Sequence, residues 1–487
     1  MTGLIRHVFR AVSYSALGAA VVLVIVFVLY LNSRADLDVW HTAELDQEFT
    51  TNSVVKTFAE YLALEDRLFR QLDERVYVKL EPTQQSSINR YTRGSLSDPE
   101  GWTPNWNRSF ELTTKSPKAA VLLLHGMSDS PYSLHHLGKR LNTRGMHVLG
   151  MRMPGHGTAP SGLVEISWQD MAAAVRLGMR HLAEQNGDRP LYIVGYSTGA
   201  ALGVQYALAA LEDESLPRVK RVAVLSPAIG VTAVAALAVW QARLGHLLGL
   251  DKLAWNSILP EYDPFKYGSF AVNAGDVVYQ LTSEIQNRIT TLGEAGRLQG
   301  MPPILAFSSV VDATVSTPAL VNGLFQRLPA GGHELVLFDI NRMVDLGPLM
   351  RSDPAAVLQL LQRDTDKAFT LSVVTNDNGQ GPAVSVRRKR PGEDASTETT
   401  LDLSWPPDLY SLAHVALPFP PDDPVYGGIA RRKSAGIHLG DIALRGERGV
   451  LQVSPSDMLR LRWNPFYPYV ESRIFEFLGV TDSRAGS

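Results

Sequence analysis

Short apolar runs alternate along the central part of the chain with longer segments in which apolar residues recur every three or four positions. The first pattern is typical of strands buried on both faces, and the second is typical of amphipathic helices. The predicted strands are 119–124, 146–151, 190–195, 220–225 and 303–310, and the predicted helices are 167–185 and 198–211. This alternation predicts an α/β fold, with a mostly parallel sheet covered by helices on both faces.

One apolar segment near the N-terminus lies outside this alternation. Residues 11–31 contain no charged side chain, and a helix of about 20 such residues crosses the hydrocarbon core of a bilayer. The segment has no polar face, which argues against a helix that packs in a soluble core. We therefore expect one transmembrane anchor at 11–31.

Positive charge precedes this anchor and is balanced after it. Arg6 and Arg10 lie on its N-terminal side, whereas Arg34 on the other side is offset by two aspartates. The positive-inside rule then predicts that residues 1–10 are cytoplasmic and that the rest of the chain lies outside the cytoplasm. In a bacterium this is the inner membrane, with the body periplasmic in a Gram-negative cell. A cleaved signal peptide is the alternative, but its apolar region is usually only about 7 to 15 residues long.

Three further segments stand apart from the regular pattern. Residues 32–118 are expected to form a helical stalk and N-terminal extension, because apolar residues have helical spacing over 36–80. The α/β domain is expected to span 119–487. Within it, the connections at about 228–300 and about 343–410 exceed the usual loop length of a few residues. The first is predicted to be an inserted cap, and the second is an insert that contains a possible hairpin.

Composition and charge exclude several kinds of protein. The 487 residues carry a net charge of −3, so no overall positive field attracts nucleic acid. The short basic run at 387–390 is interpreted as a solvated strand end. The chain has no cysteine, which excludes disulfides, thiol nucleophiles and cysteine-bound zinc. The histidines lack the spacing of metal ligands, so neither a metal nor another cofactor is expected.

The segment 195–199 reads GYSTG and lies between a predicted strand and a predicted helix. A G-x-S-x-G motif in this context is typical of a nucleophile elbow, a sharp turn that exposes a serine hydroxyl above a sheet. The glycines leave room for the strained backbone of such a turn. Ser197 is therefore the candidate nucleophile.

An elbow of this kind works with two backbone N–H groups that stabilise the oxyanion formed during acyl transfer. One candidate is the N–H of Thr198, the residue after the nucleophile. The other is the N–H of Met127, which follows the early strand and Gly126, where the backbone can approach a substrate closely. His125 is interpreted as a structural loop residue without a direct catalytic role.

Three motifs together resemble one group of enzymes. They are HGM at 125–127, RMPGHG at 152–157 and GYSTG at 195–199. The combination is similar to the monoacylglycerol lipase and serine aminopeptidase S33 group of α/β-hydrolases, over about 119–342 and again from about 404. The resemblance implies an α/β-hydrolase fold and a lipase or esterase more than a peptidase. It implies nothing about the membrane anchor or the second insert.

In this fold the catalytic residues follow the chain order serine, acid, histidine. Asp312 comes just after the predicted strand 303–310, at the carboxyl end where catalytic groups gather in parallel sheets. Asp339 and Asp345 are alternatives, because both follow another apolar strand. The resembled group has its acid in a strand-end segment like that of Asp312, which we therefore prefer.

Three histidines follow Asp312. His333 precedes its strand and so lies at the wrong end of the sheet. The position just after that strand holds Asn341, so we expect that the second insert has displaced the catalytic histidine along the chain. His414, which precedes a proline-rich loop that would restrict its backbone, is preferred to His438.

The predicted cap contains the apolar segment 231–250, interrupted by Gln241, Arg243 and His246. These polar residues argue against a second transmembrane span. The segment is expected either to roof an apolar substrate pocket or to pack against the core. The aromatic-rich stretch 262–267 is interpreted as a packed loop, with lining of the pocket entrance as the alternative.

Together these features predict a serine hydrolase that cleaves carboxylic esters, such as monoacylglycerols or lysophospholipids, beside a membrane. The expected partners are a small-molecule or lipid ester and the membrane, without nucleic acid. A serine aminopeptidase or an acyltransferase with the same three residues is an alternative. A non-catalytic envelope protein that binds ligands on the same fold is another.

Overall fold

A computed structural model describes residues 2–230, 250–343, 354–363, 366–377, 381–429, 436–440 and 459–480. The strands are β1 Phe110–Leu112, β2 Ala119–Leu124, β3 Met146–Met151, β4 Leu191–Tyr196, β5 Arg221–Leu225, β6 Trp255–Ser257, β7 Phe270–Ala271, β8 Ile304–Ser309, β9 Glu334–Phe338, β10 Thr370–Asn376, β11 Ala383–Lys389 and β12 Thr397–Ser404. The helices are α1 Thr2–Ser33, α2 Val39–Thr42, α3 Phe58–Leu72, α4 Tyr132–Thr143, α5 Trp168–Asn186, α6 Thr198–Glu212, α7 Val272–Glu294, α8 Thr317–Leu320, α9 Pro354–Arg363 and α10 Tyr467–Leu478.

The main sheet has the strand order β1-β3-β2-β4-β5-β8-β9-β10-β11-β12. Every neighbouring pair from β3 to β10 is parallel. β1 at one edge and β11 and β12 at the other are antiparallel to their neighbours. The five strands and two helices whose bounds were predicted are observed within one or two residues of those bounds, and the predicted α/β class is confirmed.

Helices cover both faces of this sheet. Successive side chains of a strand point to opposite faces, so Leu122 and Leu124 of β2 join one hydrophobic core, with α5, α6 and α7. Val121 and Leu123 join the other, with α4 and α10. All six residues of β2 are buried, and each large apolar side chain buried in this way contributes about 1.5–3 kcal/mol. Because helices cover both faces of the sheet, the sequences of its strands are continuous apolar runs.

Helix α3, within the region predicted as a stalk and extension, packs on the α/β domain. Its N-cap is Thr57, whose hydroxyl accepts a hydrogen bond from the Glu60 N–H at 3.2 Å. The hydroxyl of buried Tyr61 donates to the carbonyl of Arg152 at 2.7 Å. The helix is thereby fixed to the segment that follows β3.

A buried ion cluster strengthens this attachment. The guanidinium of fully buried Arg152 lies 3.1 Å from the Glu65 carboxylate and 2.9 Å from that of Glu48. Glu48 also accepts a hydrogen bond from the Gly155 N–H at 2.8 Å. The cluster therefore ties the N-terminal region to the RMPGHG loop.

Helix α1 contains the predicted anchor 11–31. Its segment Ile5–Ser33 has a mean hydropathy of 2.6 over its most apolar window, of which none is buried against the body. By length and composition this helix can cross a membrane, and a signal sequence has the same properties.

The second insert extends the main sheet. β10 pairs in parallel with β9, and the predicted hairpin is the antiparallel pair β10 and β11. The two ends of the insert meet: Asn341 donates from its backbone N–H to the Tyr410 carbonyl at 2.7 Å and from its side chain to the Leu409 carbonyl at 2.9 Å. The chain thus leaves the sheet after β9 and returns to nearly the same point before residue 414.

The basic run at 387–390 is not simply a solvated strand end, and that interpretation is wrong for two of its residues. Arg388 pairs with Glu334 at 3.1 Å, and Lys389 is buried and donates to the carbonyl of Gln362 at 2.8 Å. Both side chains have polar partners because β11 lies beside Glu334 on one side and beside α9 on the other.

Replacing Arg152 by Met should reduce the free energy of unfolding by about 3–5 kcal/mol, because Glu65 would remain buried without a counter-charge. Urea unfolding of the full chain in detergent, followed by circular dichroism, measures the change. As a control, Arg75→Met breaks an ion pair with Asp46 whose side chains are 34% and 59% exposed, which should cost no more than about 1 kcal/mol. Equal losses for the two variants would contradict the importance of the buried cluster.

Candidate active site

Ser197 occupies the sharp turn between β4 and α6, with φ 53° and ψ −116°. A non-glycine residue in the positive-φ region is strained and needs close support from its surroundings. Glycine is required on both sides: a Cβ at Gly195 would lie 2.5 Å from Ala200 Cα, and one at Gly199 would collide with the carbonyl of Leu124. The Ser197 N–H donates to the Leu225 carbonyl at 2.9 Å, which fixes the turn to β5. The motif thus forms the predicted elbow.

The structure brings Ser197, His414 and Asp312 together. His414 Nε2 lies 3.0 Å from the Ser197 hydroxyl, and His414 Nδ1 lies 2.8 Å from Asp312 Oδ2. All three side chains are buried. An imidazole held in this way can take a proton from the hydroxyl through Nε2 while the carboxylate fixes its tautomer through Nδ1.

Asp312 is held in its charged form. Burial raises the pKa of this carboxyl, but the hydrogen bond and charge of His414 and the N–H groups of Val315 and Thr314 outweigh burial. The net pKa therefore lies below its ordinary value. The two N–H groups donate to Oδ1 at 2.9 and 2.8 Å, so Oδ2 is left for the imidazole.

The alternative acids and histidines have other partners. Asp339 binds Arg342 at 2.7 Å and also accepts from Thr375, whereas Asp345 lies outside the described residues. His333 Nδ1 accepts from the Ile304 N–H at 3.1 Å at the opposite end of the strands. His438 Nδ1 contacts the carbonyl of Pro424 at 3.2 Å.

The two candidate oxyanion donors lie beside the nucleophile. Met127 and Thr198 line the same pocket as Ser197. A Cβ added to Gly126 would be only 3.1 Å from Ser197 Cβ and from the Tyr196 ring, so the loop after β2 passes directly against the elbow. This close approach depends on glycine at 126.

His125 holds this loop in place. Its Nδ1 lies 2.9 Å from the Gly126 carbonyl, and its Nε2 accepts from the Met153 N–H at 3.0 Å. Burial, with a contribution from the neighbouring His156, keeps the pKa of His125 well below its ordinary value. Neutral His125 is therefore a structural link between the loops after β2 and β3.

A cavity of about 390 Å³ opens at Ser197, within the size range of small-molecule sites. One part of its wall is apolar, with Met127, Leu259, Phe270, Val278 and Val315. Another part carries charged side chains, namely Asp129, Asp263, Lys266, Arg460 and Arg462. The pocket can therefore hold an apolar group and a polar group at once.

The charged side chains of the wall are loosely paired. Lys266 lies 3.5 Å from Asp129, and Arg462 lies 3.6 Å from Asp263. Burial raises the pKa of Asp129 to about 6, although Lys266 opposes the shift. Asp263 Oδ2 is buried and has no hydrogen-bond partner among the described residues.

Within the predicted cap, the stretch 262–267 both lines the pocket and packs against the domain. The stretch 262–267 supplies Tyr262, Asp263 and Lys266 to the wall, while Phe265 stacks on Tyr132 with ring centroids 4.0 Å apart. Both interpretations of this stretch therefore hold in part. The predicted apolar roof at 231–250 lies outside the described residues apart from its last position.

Sequence reasoning missed the role of Tyr267. This residue lines the pocket, its N–H donates to the Ser128 carbonyl at 2.8 Å, and its hydroxyl accepts from the Thr158 N–H at 2.8 Å. It joins the loop of Met127 to the loop after β3. Nothing in the local sequence marks a tyrosine whose partners lie more than 100 positions away.

Comparison with known proteins gives the family of the central segment. Residues 115–288 match the Hydrolase_4 family, described as serine aminopeptidase, S33. The matched segment includes Met127, Ser197 and Thr198 and ends before Asp312 and His414. No curated protein sequence matches the chain.

Similar solved structures include a metagenome-derived lipolytic enzyme of the LipS and LipT pair, with 18% identity, a TM-score of 0.36, and coverage of 53% of this chain and 98% of that one. The monoacylglycerol lipase of Paleococcus ferrophilus has 18% identity and a TM-score of 0.36, with coverage of 52% and 97%. The monoglyceride lipase of Saccharomyces cerevisiae has 16% identity and a TM-score of 0.34, with coverage of 47% and 82%.

The family match agrees with the parallel sheet and with the strand, serine and helix at the elbow. The chain therefore has the predicted α/β-hydrolase fold, and the predicted resemblance to the monoacylglycerol lipase and serine aminopeptidase S33 group is confirmed for residues 115–288.

Proposed function

We propose that this chain is a serine hydrolase that cleaves carboxylic esters through an acyl-enzyme on Ser197. The proposal rests on two hydrogen bonds of His414. Its Nε2 lies 3.0 Å from Ser197 Oγ, and its Nδ1 lies 2.8 Å from Asp312 Oδ2. This order of groups converts a weakly acidic hydroxyl into a nucleophile.

In the first half-reaction, His414 Nε2 accepts the proton as Ser197 Oγ attacks the ester carbonyl. The negative charge that develops on the carbonyl oxygen is stabilised by the N–H groups of Met127 and Thr198, a term of about 3 kcal/mol per donor in comparable sites. Asp312 stabilises the imidazolium without taking its proton. The carbon–oxygen bond then breaks, and His414 returns the proton to the leaving alcohol.

In the second half-reaction, water takes the place of the alcohol. His414 removes a proton from this water as it attacks the acyl-enzyme, and the same N–H groups stabilise the second oxyanion. Collapse of that intermediate releases the carboxylic acid, and the proton passes from His414 back to Ser197 Oγ.

The residues that line the pocket favour an ester with an apolar acyl chain and a polar alcohol. An acyl chain fits the apolar wall of Leu259, Phe270 and Val278, while a polar alcohol fits the charged wall. Monoacylglycerols and lysophospholipids have this form.

An aminopeptidase is the second candidate, and one observation favours it. Asp263 lines the pocket, and its Oδ2, which lies 3.6 Å from Arg462, has no hydrogen-bond partner among the described residues. Such an oxygen can accept a hydrogen bond from the amino group of a peptide substrate. The family match carries the description of a serine aminopeptidase. Hydrolysis of aminoacyl amides without hydrolysis of any ester would establish this candidate instead.

Helix α1 is proposed to anchor the enzyme in a membrane, with residues 1–10 cytoplasmic and the body on the other side. Support comes from its apolar length and from the charges that precede it. Contacts at its end hold the body close: Arg34 donates to the carbonyl of Trp255 at 2.6 Å, and Lys252 binds Asp36 at 2.7 Å.

Ser197→Ala and His414→Ala should each lower kcat for a short-chain ester by about 10⁴-fold or more. Asp312→Asn should lower it by roughly 10⁴-fold, because the wrong histidine tautomer would be favoured. Ester hydrolysis and labelling by a fluorophosphonate probe provide the measurements. His438→Ala is the matched control and should retain wild-type activity. Loss of activity with His438→Ala and its retention with His414→Ala would reverse the assignment of the base.

Val278→Trp should reduce the space beside the apolar wall of the pocket. We expect kcat/KM for octanoyl esters to fall by about tenfold or more relative to acetyl esters, since a filled pocket excludes the longer chain. Rates on a series of p-nitrophenyl esters measure the selectivity. Val54→Trp, at a position that is 90% exposed, is the control. A uniform loss over all chain lengths would argue that the acyl chain binds elsewhere.

The full chain should stay in the membrane fraction after alkaline carbonate extraction, with its N-terminal residues present by mass spectrometry. A double change of Leu23 and Val24 to Arg should release it, because each arginine at the centre of a span costs about 2.5–3.5 kcal/mol for insertion. A protease added outside spheroplasts should digest the body. A soluble product that begins after residue 33 would indicate a signal peptide, and protection of the body would reverse the orientation.

A further inference from the structure

A second cavity, of about 500 Å³, shares no lining residue with the catalytic pocket. Its wall combines the end of α3, part of the segment from residue 90 to residue 108, and Gly157 and Thr158 after β3. All of these elements lie in the described part of the chain. Neither the fold nor the proposed reaction assigns a role to this cavity.

Arg90 is the most unusual group in the cavity wall. Its side chain is 1% exposed, and its Nε and Nη1 atoms have no hydrogen-bond partner among the described residues. The rings of Tyr91 and Tyr267 lie 5.6 and 5.4 Å from the guanidinium carbon, but an aromatic face does not replace the oxygen acceptors that these N–H groups require.

No carboxylate takes up the charge of Arg90 directly. Glu261 is close enough to act on it electrostatically, but its two oxygens accept from the N–H groups of Gly268 and Ser269, at 3.0 and 2.8 Å. No ion pair joins Arg90 to an acid among the described residues. A buried guanidinium without an acceptor is strongly unfavourable, and Arg90 is one of the residues that line the cavity.

Asn107 adds an unpartnered acceptor to the same wall. Its Nδ2 donates to the Pro264 carbonyl at 2.9 Å, which fixes the orientation of the amide. Its Oδ1 is buried and has no hydrogen-bond partner among the described residues. A ligand that satisfies both groups must therefore carry acceptor oxygens for Arg90 and a hydroxyl or N–H donor for Asn107.

The rim of the cavity is charged with both signs. Its other cations are Arg70, Arg93 and Arg108, and its acids are Asp73, Glu74 and Glu100. Asp73 is bound to Arg93 at 2.5 Å, and Glu100 accepts from Asn105 at 3.0 Å. The acids can accept hydrogen bonds from hydroxyl groups of a ligand, while the buried positive charge lies at Arg90.

We propose that this cavity binds a hydroxyl-bearing phosphate, with phosphate oxygens on Arg90 and a hydroxyl that donates to Asn107 Oδ1. The planar guanidinium is suited to bidentate binding of a phosphate, and the volume is in the usual range for small ligands. Glycerol phosphate is a small compound with this chemistry. It occurs free and as the headgroup of phosphatidylglycerol. The proposal does not depend on the reaction at Ser197.

Calorimetric titration of the full chain in detergent with sn-glycerol 3-phosphate tests the proposal. Saturable binding is expected, and glycerol without phosphate should not bind. Arg90→Met should weaken binding at least tenfold. Methionine keeps an apolar stem beside the two tyrosines and removes the group that lacks an acceptor, so the variant should fold. Absence of binding to the wild type, or equal binding by Arg90→Met, would overturn the proposal.

A pair of exposed arginines on α3 provides a matched control. Arg70 lines the cavity, whereas Arg67, one turn away, does not. Arg70→Glu should weaken binding of glycerol phosphate at least fivefold, and Arg67→Glu should leave it unchanged. This comparison tests the proposed site even if Arg90→Met does not fold, because equal affinities of Arg70→Glu and Arg67→Glu for glycerol phosphate would show that the ligand does not bind in this cavity.

Titration with dihexanoylphosphatidylglycerol separates the two sources of the ligand. Binding at least as tight as that of the free monoester would support the proposal with a lipid headgroup as occupant. Binding of the monoester alone would support it with a free phosphorylated compound. Binding of glycerol as tight as that of glycerol phosphate would overturn the role of the phosphate.

Discussion

The hydrogen bond between the Ser197 hydroxyl and His414 Nε2 joins residues 217 positions apart in the chain, and the candidate active site depends on it. Two features of the fold make this contact possible. The parallel strands end at one edge of the sheet, so Ser197 after β4 and Asp312 after β8 emerge close together. The contact of Asn341 with residues 409 and 410 then returns the chain to that edge after three additional strands. The insert lengthens the chain without moving the imidazole away.

Buried arginines in this protein occur in two contrasting settings. Arg152 is surrounded by the carboxylates of Glu48 and Glu65 and joins the N-terminal region to the domain. Arg90 is equally buried but has no such partner among the described residues and faces a cavity. Because desolvated charge is costly unless it is paired, the first setting is explained by stability alone. The second is better explained by a ligand.

The pocket at Ser197 is built from elements that are remote in the sequence. Loops after β2, β4 and β8 and the segment after β12 that contains His414 supply the candidate reacting groups, and the segment from β6 to α7 supplies much of the wall. Tyr267 joins these parts through its hydrogen bonds to Ser128 and Thr158. The contacts of Arg34 with β6 bring helix α1 next to the same segment, so the proposed anchor lies beside the wall that would receive a lipid substrate.

The sequence by itself determined the α/β class, the bounds of the central parallel strands β2 to β5 and β8, and the position of Ser197. These features follow from local rules: the period of apolar residues, and the glycines that a sharp turn between a strand and a helix requires. It also ranked Asp312 and His414 above their alternatives, through chain order and the resemblance. Only the tertiary structure decided that the two ends of the insert meet, that Arg388 pairs with Glu334 and Lys389 is buried, and that Tyr267 and Asp263 line the pocket. Each of these depends on contacts between residues far apart in the chain, which a local pattern of side chains does not encode.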